Sequence, residues 1–194
     1  FMQAPLHSKD NVIALLSQKI MIRLLNNVAD LGISDIVLPC VDSSSLNENE
    51  EVSRFVNKLM PIVELAEKKE INISLETDLA PKPFLELLNF FKSDRVTVNY
   101  DIGNSAALGY NLIEELDAYG RRITDIHIKD RVLNGGPIEL GCGDANFNRF
   151  FKKLKEFNYQ GPFIMQAYRD DEGIEIFKKQ MNWVLNLMRD LNYE

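Results

Sequence analysis

Short apolar runs alternate with longer segments of helical period along the chain, and this alternation restricts the possible folds more than any other feature. The runs have the length of buried strands and lie at residues 1–4, 34–38, 71–76, 96–101, 123–128 and 162–167. The helical patterns lie at residues 16–31, 49–69, 83–91, 112–119, 146–157 and 172–191. Strand–helix units in regular order predict parallel strands joined by helical crossovers.

Two kinds of parallel sheet fit this order, a doubly wound sheet and a (β/α)8 barrel. No GxGxxG motif follows a predicted strand, and polar or ionisable residues recur at the carboxyl ends of successive strands. Barrels assemble their active sites at those ends, so we predict an α/β fold of the (β/α)8 TIM barrel class. Because only six units are visible and the chain begins with Phe1 inside a predicted strand, we expect a single partial barrel domain over residues 1–194 that lacks the first two β/α units.

The composition narrows the set of partners. The chain has 22 Lys+Arg against 29 Asp+Glu and no basic run, which argues against a nucleic-acid or anionic-membrane surface. We find no apolar run near the roughly 18 residues that cross a bilayer. Cys40 and Cys142 form no CxxC pair, which favours a reducing, cytoplasmic location. The exposed edge strands of a partial barrel would also favour a longer parent chain or a homo-oligomer.

Four predicted strands end in side chains of the kind that bind metals. These are Glu76, Asp101, His127 and Gln166, on successive strands. On a barrel the four ends would converge at one mouth. Carboxylate, imidazole and amide oxygen together suit a divalent ion such as Mn²⁺, Mg²⁺, Co²⁺ or Zn²⁺. From the residues alone a structural interpretation stays open, in which each polar group caps a strand or pairs with a neighbouring loop.

Five motifs follow one another in a characteristic order and spacing: Ile73-Ser-Leu-Glu76, Tyr100-Asp-Ile-Gly-Asn104, His127-Ile-Lys-Asp130, Gly141-Cys-Gly143 and Gly161-Pro-Phe-Ile-Met-Gln166. In this ordered set the chain resembles the xylose-isomerase-like TIM barrels, and within them the sugar-phosphate isomerases and epimerases. It is most similar to the branch that contains L-ribulose-5-phosphate 3-epimerase. The resemblance extends over nearly the whole chain and covers the last six units of that barrel.

The resemblance implies a divalent metal bound by Glu, Asp, His and Glu from four successive strands. Glu76, Asp101 and His127 match the first three ligand positions, whereas Gln166 departs from the fourth. In the family the two glutamates also serve as the two catalytic bases, so Glu76 and Gln166 occupy the catalytic positions. A glutamine can offer an oxygen to a metal, but it cannot shuttle a proton at neutral pH.

Four further residues are candidates for substrate binding. Lys129 could stabilise enediolate oxygens or bind a phosphate, or it could pair with a nearby carboxylate. Asn104 resembles the amide that follows the aspartate ligand in the family. Alternatively, it is a turn residue without a role in substrate binding. Arg131 could reach a sugar or phosphate oxygen or be a solvated loop charge, and His7 is a candidate for the barrel mouth.

These patterns together predict a metal-dependent isomerase or epimerase of a small sugar or sugar phosphate, acting through an enediolate. The alternative is a non-catalytic, sugar-binding pseudoenzyme that has lost its fourth carboxylate at Gln166. A third branch of the superfamily, the phosphodiesterases that act at abasic DNA sites, needs several metals and more histidines than the two present here. The acidic balance of the chain also disfavours that branch.

Overall fold

A computed structural model describes residues 4–166 and 173–193 of the protein. The chain divides into two compact units, residues 1–99 and 100–194. Residues 1–3 of the first predicted strand, at 1–4, lie outside the described residues. Residue 167, the last of the predicted strand at 162–167, also lies outside them.

The first unit alternates helices and parallel strands. β1 pairs in parallel with β2, placing Leu38 beside Leu75, and β2 pairs in parallel with β3, placing Leu75 beside Val98. Its elements are α1 (Asn11–Val28), β1 (Asp35–Cys40), α2 (Asn49–Lys69), β2 (Asn72–Thr77), α3 (Pro81–Phe90) and most of β3 (Val96–Asp101).

Local sequence explains where the helices of this unit begin and end. The carboxylate of Asp10 caps α1 by accepting a hydrogen bond from the N–H of Val12 at 2.8 Å. Glu48 and Glu51 form a reciprocal capping box at the start of α2. α2 then buries one apolar face in the core of the unit, namely Phe55, Leu59, Ile62, Val63 and Ala66.

The second unit repeats the alternation and adds a small hairpin. β4 pairs in parallel with β7, whereas β5 and β6 form a separate antiparallel pair. Its core contains Phe150, Phe151 and Leu154 from the apolar face of α6. The elements are α4 (Ile102–Leu108), α5 (Leu112–Tyr119), β4 (Ile123–Ile128), β5 (Asp130–Arg131), β6 (Pro137–Ile138), α6 (Phe147–Phe157), β7 (Phe163–Met165) and α7 (Ile174–Asp190).

The parallel strands are ordered β1-β2-β3 in the first unit and β4-β7 in the second. This order follows the chain without the reversal that marks a doubly wound sheet. The order therefore favours the barrel over the doubly wound alternative, as the polar strand ends predicted.

Two elements differ from the sequence-based expectation because tertiary contacts override local signals. No helix was predicted at residues 102–108, and a turn was one interpretation of Asn104, yet these residues form α4, whose first turn is capped by the carboxylate of Asp101. Pro39 predicted the end of a strand, yet it lies within β1 opposite Glu76. Because β2 is the one neighbour of β1 among the described residues, Pro39 can sit on an edge strand without breaking a ladder.

One segment is an exception to the expectation that no part of the chain is long and apolar enough to cross a bilayer. The helical segment Asn11–Leu31 meets that criterion by length and composition. Core helices of globular proteins meet it too, and in α1 the side chains of Ala14, Met21 and Leu25 are buried in the first unit.

Candidate functional site

Glu76 lies near the carboxyl end of β2 in the first unit and is 9% exposed. The register of β2 and β3 brings it beside Asn99, whose side-chain amide donates a hydrogen bond to Glu76 Oε2 at 3.3 Å. The neighbouring strand therefore orients this carboxylate through a neutral amide, which donates a hydrogen bond but carries no charge.

Asp101 connects the sheet to α4 in the second unit. It is the last residue of β3, and its Oδ1 accepts a hydrogen bond from the N–H of Asn104 at 2.8 Å. The other oxygen, Oδ2, lies 3.8 Å from Nδ1 of His127 and 3.4 Å from Nζ of Lys129. Helix capping thus fixes one oxygen of the carboxylate and directs the second towards an imidazole and an ammonium group.

Two cations converge on the side chain of Asn104. Its Oδ1 accepts hydrogen bonds from Nζ of Lys129 at 3.1 Å and from Nη1 of Arg131 at 2.9 Å. Arg131 also donates from Nε and Nη2 to the carbonyl of Gly135, so its guanidinium is ordered within the second unit rather than freely solvated. The second unit therefore brings together five of the predicted site residues, Asp101, Asn104, His127, Lys129 and Arg131.

Gly103 allows this close approach. A Cβ atom at this position would lie 2.9 Å from both the carbonyl oxygen and Cγ of Lys129. Only a residue without a side chain lets the first turn of α4 pack this tightly against the end of β4. The glycine of the Tyr100-Asp-Ile-Gly-Asn104 motif is thus required by packing.

The loop after β5 is organised by a residue that sequence reasoning missed as a site residue. The carboxylate of Asp130 is 1% exposed and accepts hydrogen bonds from the backbone N–H groups of Gly141 and Gly143, each at 2.9 Å. A Cβ at Gly143 would lie 2.2 Å from Asp130 Oδ1. The Gly141-Cys-Gly143 motif was the signal that could have revealed this hydrogen-bonding centre.

The only tryptophan of the chain lies against the same loop. A Cβ at Gly141 would meet the Trp183 ring at 2.6 Å, and the ring packs edge-on to Phe147 at a centroid distance of 5.2 Å. On the same helix, Gln180 accepts a hydrogen bond from the N–H of Leu140 at 3.1 Å. α7 therefore supports the loop through both apolar and polar contacts.

Two more predicted site residues are described, His7 in the first unit and Gln166 in the second. His7 is buried in the first unit, where burial lowers the pKa of its imidazole, although the charge of Glu51 acts in the opposite direction. It lines a small cavity of about 10 Å³, room for a single water molecule. Gln166 follows β7 in the second unit with an exposed side chain, and its N–H donates to the carbonyl of Ile128 at 2.9 Å.

The second unit also contains a buried carboxylate, Glu115, that the sequence patterns did not predict. Glu115 is 3% exposed and accepts hydrogen bonds from the hydroxyls of Tyr100 at 2.9 Å and Tyr119 at 3.0 Å, as well as from Ser105. Burial raises the pKa of the Glu115 carboxyl, and the three hydroxyls oppose that effect. The cluster ties β3, α4 and α5 together beside the Asp101 end of β3.

A family model for the xylose isomerase-like TIM barrel matches residues 3–187. The chain is similar to L-ribulose-5-phosphate 3-epimerase UlaE of Escherichia coli O1:K1, with 28% identity over 192 residues. The match covers 93% of this chain and 66% of that relative. The chain thus spans about two thirds of the length of this curated relative.

Solved structures show the same fold. A D-tagatose 3-epimerase-like protein has a TM-score of 0.82 at 20% identity, over 99% of this chain and 76% of that one. The IolI protein with a binding zinc atom has a TM-score of 0.76 at 18% identity, over 96% of this chain and 73% of that one. Strands and helices therefore superpose well despite the low identity.

Proposed function

Because the chain belongs to the xylose isomerase-like TIM barrel family, we propose that it is a divalent-metal-dependent isomerase or epimerase of a small sugar or sugar phosphate. Its fold is the predicted α/β TIM barrel of that family. The observation that carries the proposal is the set of ionisable side chains at the carboxyl ends of β2, β3 and β4, where barrels bind their substrates. The similarity to a curated 3-epimerase supports the same reaction class.

We propose that Glu76, Asp101 and His127 hold the metal ion. The proposal is supported within each unit: Glu76 lies near the carboxyl end of β2 in the first unit, and in the second unit Oδ2 of Asp101 lies 3.8 Å from Nδ1 of His127. Two carboxylates and an imidazole suit Mn²⁺, Mg²⁺, Co²⁺ or Zn²⁺, and the IolI neighbour of the same fold has a bound zinc atom. Gln166 is the proposed neutral fourth ligand, which makes the site weaker than one with four ionisable ligands.

The bound ion would supply Lewis-acid polarisation of a ketose carbonyl. In the proposed reaction Glu76 removes the proton from the carbon next to that carbonyl, leaving an enediolate. The ammonium of Lys129 and the guanidinium of Arg131, ordered on Asn104, stabilise enediolate or phosphate oxygens. A contact of His7 with substrate stays a prediction, as do the cytoplasmic location and the homo-oligomeric state.

Gln166 restricts the reaction that the site can perform. Epimerisation inverts a carbon and therefore needs a second group to return a proton on the opposite face. Because an amide cannot do this at neutral pH, true epimerisation should be slower by about 10²–10⁴-fold than with a carboxylate at that position. Isomerisation, in which Glu76 moves the proton along one face, does not need the second base.

The experiment that tests the proposal follows proton exchange. Candidate pentuloses, hexuloses and their phosphates are incubated with the protein and Mn²⁺ in deuterated water, and C–H exchange is measured by NMR. We expect exchange by the wild type and its loss in Glu76→Gln. Glu86→Gln, which changes an exposed glutamate on α3, is the matched control. Exchange that survives Glu76→Gln, or sugar binding with no exchange, would contradict the proposed role.

A second measurement tests the metal site separately from turnover. Elemental analysis of protein purified without chelator should show less divalent metal in His127→Ala than in the wild type. Gln166→Glu should tighten metal binding because it adds a charged oxygen ligand. Equal metal content in the wild type and in His127→Ala would contradict the proposed ligand set.

A further inference from the structure

One buried carboxylate ties together the segment that carries Arg131. Asp130 Oδ1 accepts hydrogen bonds from the N–H groups of Arg131 at 2.9 Å and Ala145 at 3.1 Å. Its Oδ2 accepts from those of Gly141 and Gly143, each at 2.9 Å. Four backbone donors on two carboxylate oxygens close residues 131–145 into a loop around a single side chain.

The neighbours of Asp130 make their contacts elsewhere. Lys129 and Arg131 both donate to Oδ1 of Asn104. Within the described part of the chain, Asp130 accepts only from backbone N–H groups of its own loop. The strand end therefore separates two tasks. Lys129 and Arg131 supply cations to the candidate substrate site. Asp130, which lies between them in the sequence, fixes the backbone from which Arg131 extends.

We propose that Asp130 is a positioning residue for substrate recognition, which acts by holding the guanidinium of Arg131 beside Asn104. The kinetic test of this inference rests on the proposed function, because it needs a ketose that the protein turns over. The structural part of the inference rests on geometry alone, because among the described residues the Asp130 carboxylate accepts hydrogen bonds from backbone N–H groups of its own loop and from no candidate metal ligand.

The glycines of the loop are matched to this carboxylate. A Cβ at Gly143 would lie 2.2 Å from Asp130 Oδ1 and 2.7 Å from the carbonyl oxygen of Arg131. Gly141 has a φ of +84°, a backbone conformation that favours glycine. Replacing Asp130 by asparagine keeps the shape but turns an amide NH₂ towards two N–H donors, which leaves those donors without an acceptor.

The structural part is tested by NMR of protein labelled with ¹⁵N-arginine. The Nε–H of Arg131 donates to the carbonyl of Gly135 at 3.0 Å, so its signal should be dispersed and slow to exchange with solvent. We expect Asp130→Asn to shift this signal and to speed its exchange. Glu139→Gln is the matched control, because Glu139 lies in the same loop but pairs with Lys179 at 2.7 Å.

The functional part is tested by a double-mutant cycle in steady-state kinetics on the ketose that the wild type turns over fastest. Asp130→Asn and Arg131→Met should each raise KM about tenfold, the effect of losing one charge-assisted hydrogen bond. If Asp130 acts through Arg131, kcat should change little and the double variant should be no worse than either single variant. A residue with a merely structural role would instead give additive effects.

Each outcome decides the inference. Additive losses, a fall in kcat at unchanged KM, or an unaltered Arg131 signal would each overturn it. Should Asp130→Asn fail to fold, Gly143→Ala takes its place in both measurements, because its Cβ displaces the carboxylate while the charge stays. If the wild type turns over no ketose, the proposed function fails, and the NMR signal alone decides whether Asp130 positions Arg131.

Discussion

Removing one hydroxyl from the buried Glu115 cluster should weaken the fold by an amount that depends on pH. Tyr119→Phe deletes the hydrogen bond that Tyr119 donates to Glu115 Oε1 at 3.0 Å. Both side chains are buried, so water does not replace the lost donor. A hydrogen bond to a charged group contributes about 1.5–3 kcal/mol, whereas one between neutral groups contributes about 0.5–1.5 kcal/mol.

The sign of the pH dependence follows from the raised pKa of Glu115. The folded protein favours the protonated carboxyl, so the stability that Glu115 contributes is fully present below the pKa of the unfolded chain. That stability is lost as the pH rises through the folded pKa. Because the hydroxyl of Tyr119 favours the ionised form, its removal should cost about 1.5–3 kcal/mol when Glu115 is ionised and about 0.5–1.5 kcal/mol when it is protonated.

Urea denaturation followed by circular dichroism measures both values, near the ordinary pKa of glutamate, about 4.3, and near about pH 8. Tyr193→Phe is the control, because Tyr193 donates to the neutral carbonyl of Tyr159 at 3.2 Å and should lose the same amount at both pH values. Equal losses for Tyr119→Phe at the two pH values would refute the reasoning that the carboxylate is the charged partner.

Two further predictions concern thiol reactivity and packing. Cys142 is exposed, whereas Cys40 is buried. Burial raises the pKa of the Cys40 thiol, and the charges of Asp78 and Glu76 raise it further. A thiol reagent should therefore label one cysteine in the folded protein and two after unfolding, which mass spectrometry can count. Gly103→Ala should destabilise the protein by about 1–3 kcal/mol in urea denaturation, since its Cβ would lie 2.9 Å from the Lys129 carbonyl oxygen. Gly136→Ala, with nothing within 4 Å of the added Cβ, should change stability by less than about 0.5 kcal/mol.

The sequence predicted those elements whose local signals agree with their tertiary contacts. β3 (Val96–Asp101), β4 (Ile123–Ile128), α2 (Asn49–Lys69) and α5 (Leu112–Tyr119) have the predicted bounds. In each of these elements, residues that form the helical apolar pattern or the run of β-branched side chains are residues that the fold buries. α1 begins earlier than predicted, because the cap at Asp10 precedes the regular apolar pattern.

Elements that depend on distant partners were missed. α4 contains Gly103 and Asn104, which have low helix propensity, and it is held by the Asp101 cap and by packing against Lys129. The loop centred on Asp130 needs donors up to fifteen positions further along the chain, which no local pattern reveals. In the candidate site, residue type and order identified ionisable strand ends, but whether Gln166 serves as a ligand depends on geometry that a sequence does not specify.

Trp183 gives this protein a built-in optical probe. Because it is the only tryptophan of the chain and packs against Gly141 and Phe147, its emission reports the local polarity beside the loop that carries Arg131. A ligand that shifts this loop will change the solvation of the indole and hence its emission maximum. Intrinsic fluorescence titrations can therefore screen sugars, phosphates and metal ions without a label and without knowing the reaction beforehand.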